Sequence, residues 1–172
     1  MNDVERLFRT YHDTLVRYLT RRLGDRDWAE EVAQETFVRA LRQEEITNER
    51  AWLFTVANNL IRDEARRDSR RRRQLVLLRQ EAEAESGAEE ISALERAQET
   101  ALARKAIEAL AERDRLALLM REEGLDYAEI AESLGLSVGS IGTTLARARK
   151  RLVESYEALQ GNDSRRGGHA TS

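Results

Sequence analysis

The sequence predicts an all-α protein of two small helical domains joined by an acidic linker, the C-terminal one a helix-turn-helix. Three observations lead there. The 172 residues contain no proline, and nothing in them reads as a run of alternating β-branched residues. Ala, Leu, Glu and Arg dominate, all good helix formers. Apolar residues make up 41% of the chain, enough for real cores, whereas 35% charged and 5% aromatic residues favour slim helical units over a bulky globule.

The first helix is expected over residues 3–23, where Val4, Leu7, Phe8, Tyr11, Leu15, Leu19 and Leu23 recur at helical spacing. Gly24 is free to adopt the positive φ that ends it. A second helix is expected from Asp27, with Glu30 completing a capping box, to about Gln43, burying Val32, Phe37, Ala40 and Leu41. The polar "QEEITNE" follows, in which Thr47 or Asn48 can cap the third helix. That helix, "RAWLFTVANNLIRDEARR", has Trp52, Leu53, Val56, Leu60 and Ile61 on its apolar side, which makes Trp52 a core residue rather than a platform for a base. Three stripes sharing one core define the first domain, residues 1–73.

Residues 74–99 include "EAEAESGAEE", too poor in apolar residues to pack alone, and read as a flexible acidic linker, partly helical at most. Ser92 and Glu95 offer another capping box, and Leu94, Leu102, Ile107 and Leu110 carry a stripe onward. "ERDRLALLMREEGL" then gives a helix with Leu116, Leu119 and Met120 apolar and Gly124 as its stop. In the next short helix Ile130 and Leu134 face inward, Ala131 is small where two helices would cross, and Gly135 suits a left-handed turn. Leu136, Val138, Ile141 and Leu145 continue the core, which completes the register of a helix-turn-helix within a domain spanning 100–160. The tail "GNDSRRGGHATS", residues 161–172, is expected to be disordered.

A formal net charge of −3 argues against a nucleic-acid binder, but the charges are segregated. "RDEARRDSRRRR" is basic, "EAEAESGAEEISALE" is acidic, and "RARKRL" closes the last strong helix, a distribution that assigns different partners to different parts. The absence of cysteine rules out a disulfide scaffold, a thiol switch and a cysteine-type zinc site. No window approaches the roughly 18 apolar residues of a membrane span, so a soluble cytoplasmic protein is expected. The carboxylates of the second helix lie on one open face without a nearby histidine, and His12 and His169 are isolated. No catalytic residue, metal or cofactor is therefore expected.

DNA-facing chemistry is concentrated in two helices. Arg62, Arg66 and Arg67 recur at three- and four-residue spacing and can contact phosphates from one side. Asn58 and Asn59 carry amides suited to base edges. The arginine run 70–73 either tracks the DNA backbone or is a solvated connector. In "GLSVGSIGTTLARARKRL", Ser137 is the expected N-cap, while Gly139 and Ser140 offer N–H and hydroxyl groups to a phosphate. Thr143 has a methyl for a thymine methyl, and Arg149, Lys150 and Arg151 can hold phosphates. Gly142 costs this helix about 1 kcal/mol relative to alanine. Its small size, like that of Ala146, also permits close approach of the backbone to the groove floor.

Three stretches then carry a family resemblance. "DWAEEVAQETFVRALR" resembles the signature helix with which bacterial sigma factors dock on the RNA polymerase clamp. "ERAWLFTVANNLIRDEARR" is similar to the helix that follows it and faces the promoter −10 element. "EGLDYAEIAESLGLSVGSIGTTLARARKRL" is similar to the domain that reads the −35 element. With no intermediate domain, the chain resembles the extracytoplasmic-function (ECF) group of the sigma-70 family over residues 4–73 and 100–156.

The resemblance implies core RNA polymerase, held at its clamp and flap, and promoter DNA as partners. It also implies an anti-sigma factor, often membrane-bound, and no chemistry of the chain's own. It assigns Glu30, Glu31, Gln34, Glu35 and Arg39, beside the apolar Phe37, to the polymerase. It places Asn59 near the upstream edge of the −10 element and Arg147 at a position that reads the −35 element. It gives the loop "RQEEITNE" to capture of a flipped base, with Gln43, Thr47 and Asn48 as suitable groups and Glu44 and Glu45 repelling phosphate. The chain departs from the family at Gly142, commonly lysine or arginine, at Thr143, commonly serine, and at Ala146, often bulky. It also departs at Ala111, often proline, where the flanking helices are expected to run on or bend differently. The alternative is a free-standing helix-turn-helix regulator that binds operators as a dimer. Its N-terminal unit would have to supply the dimer surface or sensor, and the sigma-like second helix argues against that.

Overall fold

The computed structural model describes residues 3–67 and 91–167, and these form seven α-helices with no strand among the described residues. Helix α1, Val4–Leu23, starts on Asp3, whose carboxylate accepts from the Arg6 N–H at 3.1 Å. It ends at Gly24, left-handed at φ 70°, whose N–H donates to the Thr20 carbonyl at 2.8 Å. Helix α2, Arg26–Leu41, follows at once, capped by Asp25 onto the Trp28 N–H at 3.0 Å. The cap thus lies two residues before the expected Asp27, because the glycine turn leaves no room for a longer connection. Helix α3, Glu49–Arg67, begins after Asn48, which holds a positive φ of 35°.

The second group comprises α4, Ile91–Glu108, α5, Glu112–Glu122, α6, Tyr127–Leu134, and α7, Val138–Gly167. Helix α4 begins one residue before the expected cap Ser92, so that residue lies inside the helix. The chain breaks at Ala111, extended at φ −56° and ψ 142°, so α4 and α5 do not run on despite the missing proline. A capping box starts α6: the Glu129 N–H donates to Asp126 at 2.8 Å and the Asp126 N–H to Glu129 at 3.0 Å. Gly135 at φ 66° makes the turn into α7, and the Leu136 N–H closes it on the Ala131 carbonyl at 2.9 Å. Rather than ending near residue 160, α7 continues through Gly167, since a formed helix propagates at little cost per residue. The expectation of a disordered tail is corrected for that stretch. Residues 68–90, which hold most of the linker and the arginine run 70–73, lie outside the described residues, as do 168–172.

The core is one buried cluster fed by both groups. Leu7, Leu15, Tyr18, Leu19, Val32, Leu53, Phe54 and Ile61 come from the first, and Leu116, Met120, Leu125, Ile130, Ile141 and Leu145 from the second. Each such side chain contributes about 1.5–3 kcal/mol by leaving water. Trp52 packs against this cluster, as its stripe predicts. Four apolar residues of the expected stripes lie outside instead: Phe8 is 45% exposed, Leu41 67%, Leu94 51% and Val138 53%. Leu41 and Val138 sit at helix ends.

Candidate nucleic-acid interface

Helix α7 presents one side to solvent and one to the core. Ile141, Leu145 and Ala148 are buried, and Gly139, Thr143, Ala146, Arg147 and Lys150 are exposed at the complementary positions. Ser137 precedes the helix and is exposed; Arg149 is exposed as well. Ser140 is already engaged, its N–H and its hydroxyl both donating to the Ser137 carbonyl at 3.1 and 2.8 Å. Gly139 is the more open of the two, since a Cβ there would find open space. At Gly142 a Cβ would touch only the Tyr127 ring, at 3.7 Å, an ordinary contact.

Arg147 is exposed but not loose. Its Nη2 donates to Asp114 Oδ1 at 2.8 Å and its Nε to Oδ2 at 3.3 Å, and Arg151 Nη1 lies 3.6 Å from the same carboxylate. The hydrogen bond to Asp114, and then its charge, raise the guanidinium above its ordinary value. Asp114 itself is buried on α5. The sequence reading missed it because an Asp in "ERDR" looks like any first-turn acid.

Along α3, Thr55, Asn59 and Arg62 share a side at four- and three-residue spacing, and the last two are exposed. Asn58 is a correction. It is 2% exposed and accepts from the Tyr18 hydroxyl at 2.8 Å and from Arg22 Nη1 at 2.6 Å, so its amide serves the core rather than a base edge. Burial pushes the Tyr18 hydroxyl up to about 12, which keeps it a neutral donor. Gln43, Thr47 and Asn48 are exposed in the loop before α3. Glu49, at the start of α3, is tied to α1 by Arg6 and by the Tyr11 hydroxyl at 3.3 Å. Arg66 and Arg67 end α3, and their side chains lie outside the described residues.

On α2, Glu30, Glu31, Gln34, Glu35 and Arg39 form an exposed strip, with Arg26–Glu30 and Arg39–Glu35 pairs at 3.2 and 3.4 Å. Phe37 is a second correction: at 4% exposure it packs under Phe8, ring centroids 5.2 Å apart, instead of meeting a partner. The apolar groups that do reach solvent beside the acidic strip are Phe8, stacked on His12 at 4.3 Å, Val38 and Leu41. Helical spacing alone put Phe8 and Leu41 in the core, so it could not reveal this patch.

The two helical groups meet through opposite charges. Arg50 on α3 grips Glu129 on α6 with two hydrogen bonds of 2.6 Å. Arg17 Nε donates to Glu123 at 3.3 Å, Arg21 lies 3.7 Å from it, and Arg22 donates to Glu112 at 3.2 Å. The Ser133 hydroxyl donates to the Ala51 carbonyl at 3.3 Å, beside the Thr55 hydroxyl, which donates to the same carbonyl at 2.7 Å. All these cations come from the first group and all the anions from the second. Helix α6 thereby covers the N-terminal part of the α3 side that carries Asn59 and Arg62.

Comparison with known proteins decides the family. Residues 7–71 match the Sigma-70 region 2 family and residues 100–152 the Sigma-70 region 4 family. The RNA polymerase sigma factor YlaC of Bacillus subtilis is 30% identical over 159 residues, 90% of this chain and 92% of that one. The ECF RNA polymerase sigma factor SigL of Mycobacterium tuberculosis is 35% identical over 161 residues, 89% of this chain and 88% of that one. This chain belongs to the ECF sigma factors of the sigma-70 family.

The sigma factor directs core RNA polymerase to specific promoters through −10 and −35 elements, and so acts in transcription initiation. Its fold is also that of the sigma factor RpoE from Bartonella quintana, solved in complex with the anti-sigma factor NepR. The two match at a TM-score of 0.62 and 21% identity over 91% of this chain and 98% of that one. Among the described residues of the sigma factor no helix is long and apolar enough to cross a membrane, and no three His, Asp or Glu groups converge as metal ligands.

Proposed function

We propose that this sigma factor reads its promoter with two units on one polymerase subunit. Residues 1–73 dock on the polymerase through Glu30, Glu31, Gln34, Glu35 and Arg39, rimmed by the exposed Phe8, Val38 and Leu41. They meet the −10 element with Asn59, Arg62, Arg66 and Arg67, and a flipped base with Gln43, Thr47 and Asn48. Residues 100–160 meet the −35 element with Ser137, Gly139, Gly142, Thr143, Ala146 and Arg147, while Arg149 and Lys150 hold phosphates. The observation that supports this best is the exposed side of α7, which no other helix among the described residues covers while Ile141 and Leu145 anchor the opposite side. The protein contributes recognition and no chemistry of its own. Its place is the cytoplasm, on the nucleoid when active.

This reading requires the two groups to part. The −10 and −35 elements lie about 25 base pairs apart, on the order of 85 Å at about 3.4 Å per pair. Helices α3, α6 and α7 are successive neighbours, each roughly 10–12 Å across. The charge-paired arrangement is thus a resting form, in which α6 covers part of α3. An anti-sigma factor, of the kind seen with the Bartonella relative, is the proposed partner off the polymerase.

The test adds the purified protein to core polymerase on genomic template and sequences the transcript starts. New starts should share two upstream elements at one spacing. If no template yields promoter-specific initiation, this assignment is overturned. A protein that selects operators without polymerase would point to the free-standing regulator.

A further inference from the structure

We infer that Asp114 is a positioning residue, holding Arg147 so that its free end is presented to a guanine of the −35 element. The inference rests on the assignment of α7 to that element. Between Val138 and Arg147 the exposed side of α7 carries only short side chains, so Arg147 is the first long one able to reach a base edge. Its guanidinium meets Asp114 side-on, through Nε and Nη2. That leaves both hydrogens of Nη1 and one of Nη2, the end-on fork. Guanine is the base whose major-groove edge accepts such a fork, at O6 and N7.

Asp114 is suited to hold this pose. It is 1% exposed, so its carboxylate cannot swing away, and it lies in the first turn of α5, where the helix dipole favours an anion. Arg151, 3.6 Å away, supplies a second cation, so Asp114 stays compensated when Arg147 engages DNA. The short neighbours Gly142 and Ala146 let α7 approach closely enough for a pre-set arginine to reach. Selectivity lost from missing long side chains is recovered by fixing one.

The experiment uses holoenzyme, assembled from core polymerase and the full chain, with promoter duplexes whose −35 hexamer is randomised. At the base pair read by Arg147, the wild type should prefer guanine by about 5- to 150-fold, the worth of one bidentate contact. Replacing that guanine by 7-deazaguanine, which lacks N7, should remove most of the preference. Asp114→Asn should lower the preference toward parity at that pair alone and make binding indifferent to 7-deazaguanine, with other −35 positions unchanged. Arg147→Ala leaves Asp114 compensated by Arg151 but has no donor to offer, so it should lose the preference without disturbing the core. Uniform weakening on all sequences by Asp114→Asn, with sensitivity to 7-deazaguanine intact, means a purely structural role and overturns the inference. So does a guanine preference that survives Arg147→Ala. Promoter-specific initiation with no guanine discrimination by the wild type refutes the inference and spares the sigma assignment; no initiation at all refutes that assignment first.

Discussion

Arg50 and Glu129 lie 79 residues apart in sequence and are joined side by side by two hydrogen bonds, one from Nε and one from Nη2, each 2.6 Å long. The pair links α3, proposed to face the −10 element, to α6, the first helix of the helix-turn-helix. Both side chains are partly shielded, at 31% and 17% exposure, so their coupling should exceed that of a fully exposed pair. A double-mutant cycle with Arg50→Ala and Glu129→Gln should give about 1–2 kcal/mol, read as the change in open fraction by energy transfer between labels on α2 and α7. Glutamine can still serve the α6 capping box, so Glu129→Gln isolates the ion pair. Raising salt from 50 to 500 mM should open the wild type more than the double mutant, because the wild type has one more ion pair between the groups for salt to screen. Equal open fractions in all four proteins would show that charge does not hold the resting form.

Acid should act through the same carboxylate. Glu129 is held below its ordinary 4.5, chiefly by the hydrogen bond from Arg50. A depressed carboxylate stabilises the closed form fully above 4.5, and that contribution disappears as pH falls through the lowered value. The open fraction should stay flat from pH 8 to about 5 and rise below about 4.5. Glu129→Gln should flatten the rise. Glu49, also lowered by its bond from Arg6, joins α1 to α3 within one group and should affect unfolding in the same acid window rather than opening.

Gly142→Ala should stabilise the protein by about 0.5–1 kcal/mol. The added Cβ meets only Tyr127 Cε2, at 3.7 Å, so nothing has to move. For a chain of this size that is an increase of about 1–4 °C in melting temperature. Should the −35 affinity fall while the melting temperature rises, the glycine is there for close approach to DNA rather than by default.

Ala111→Pro is expected to stabilise by about 0.4–1 kcal/mol. The residue already sits at φ −56°, inside the range a proline ring imposes, and it makes no side-chain cap to be lost. Denaturant melts of the two proteins, compared at equal slope, measure the difference. A loss of stability would mean that the preceding Leu110 cannot adopt the extended backbone proline demands.

The helices were legible from periodicity and glycine stops, and the helix-turn-helix from the joint placement of Ala131, Gly135, Ile141 and Leu145, all of which lie where the register put them. What stayed hidden depends on long-range pairing. Nothing in "ERDR" indicates that Asp114 faces Arg147, and nothing near Arg50 points to Glu129. Spacing fixes which side of a helix a residue shares, but not which side another helix covers. For that reason spacing puts Phe8 and Leu41 inside, although both are exposed. The asparagines of α3 show the limit most clearly, since two adjacent amides of one chemistry have opposite surroundings.

Asn58 continues the buried positions Phe54 and Ile61, whereas Asn59 lies on the exposed side with Arg62. Their substitutions should therefore separate stability from recognition. Asn58→Ala removes the acceptor shared by the Tyr18 hydroxyl and by Arg22, whose side chain is 6% exposed. Leaving a buried charged donor without it should cost about 1.5–3 kcal/mol, or roughly 3–12 °C of melting temperature. Asn59→Ala should change stability by less than about 0.5 kcal/mol and instead relax selection at one −10 position, measured by initiation from a promoter library. Both partners of Asn58 lie on α1, in its own helical group, so parting the two groups does not by itself free its amide. If Asn58→Ala kept its melting temperature and changed −10 selection, the amide would have to leave Tyr18 and Arg22 on DNA, and the core role assigned to it would be wrong.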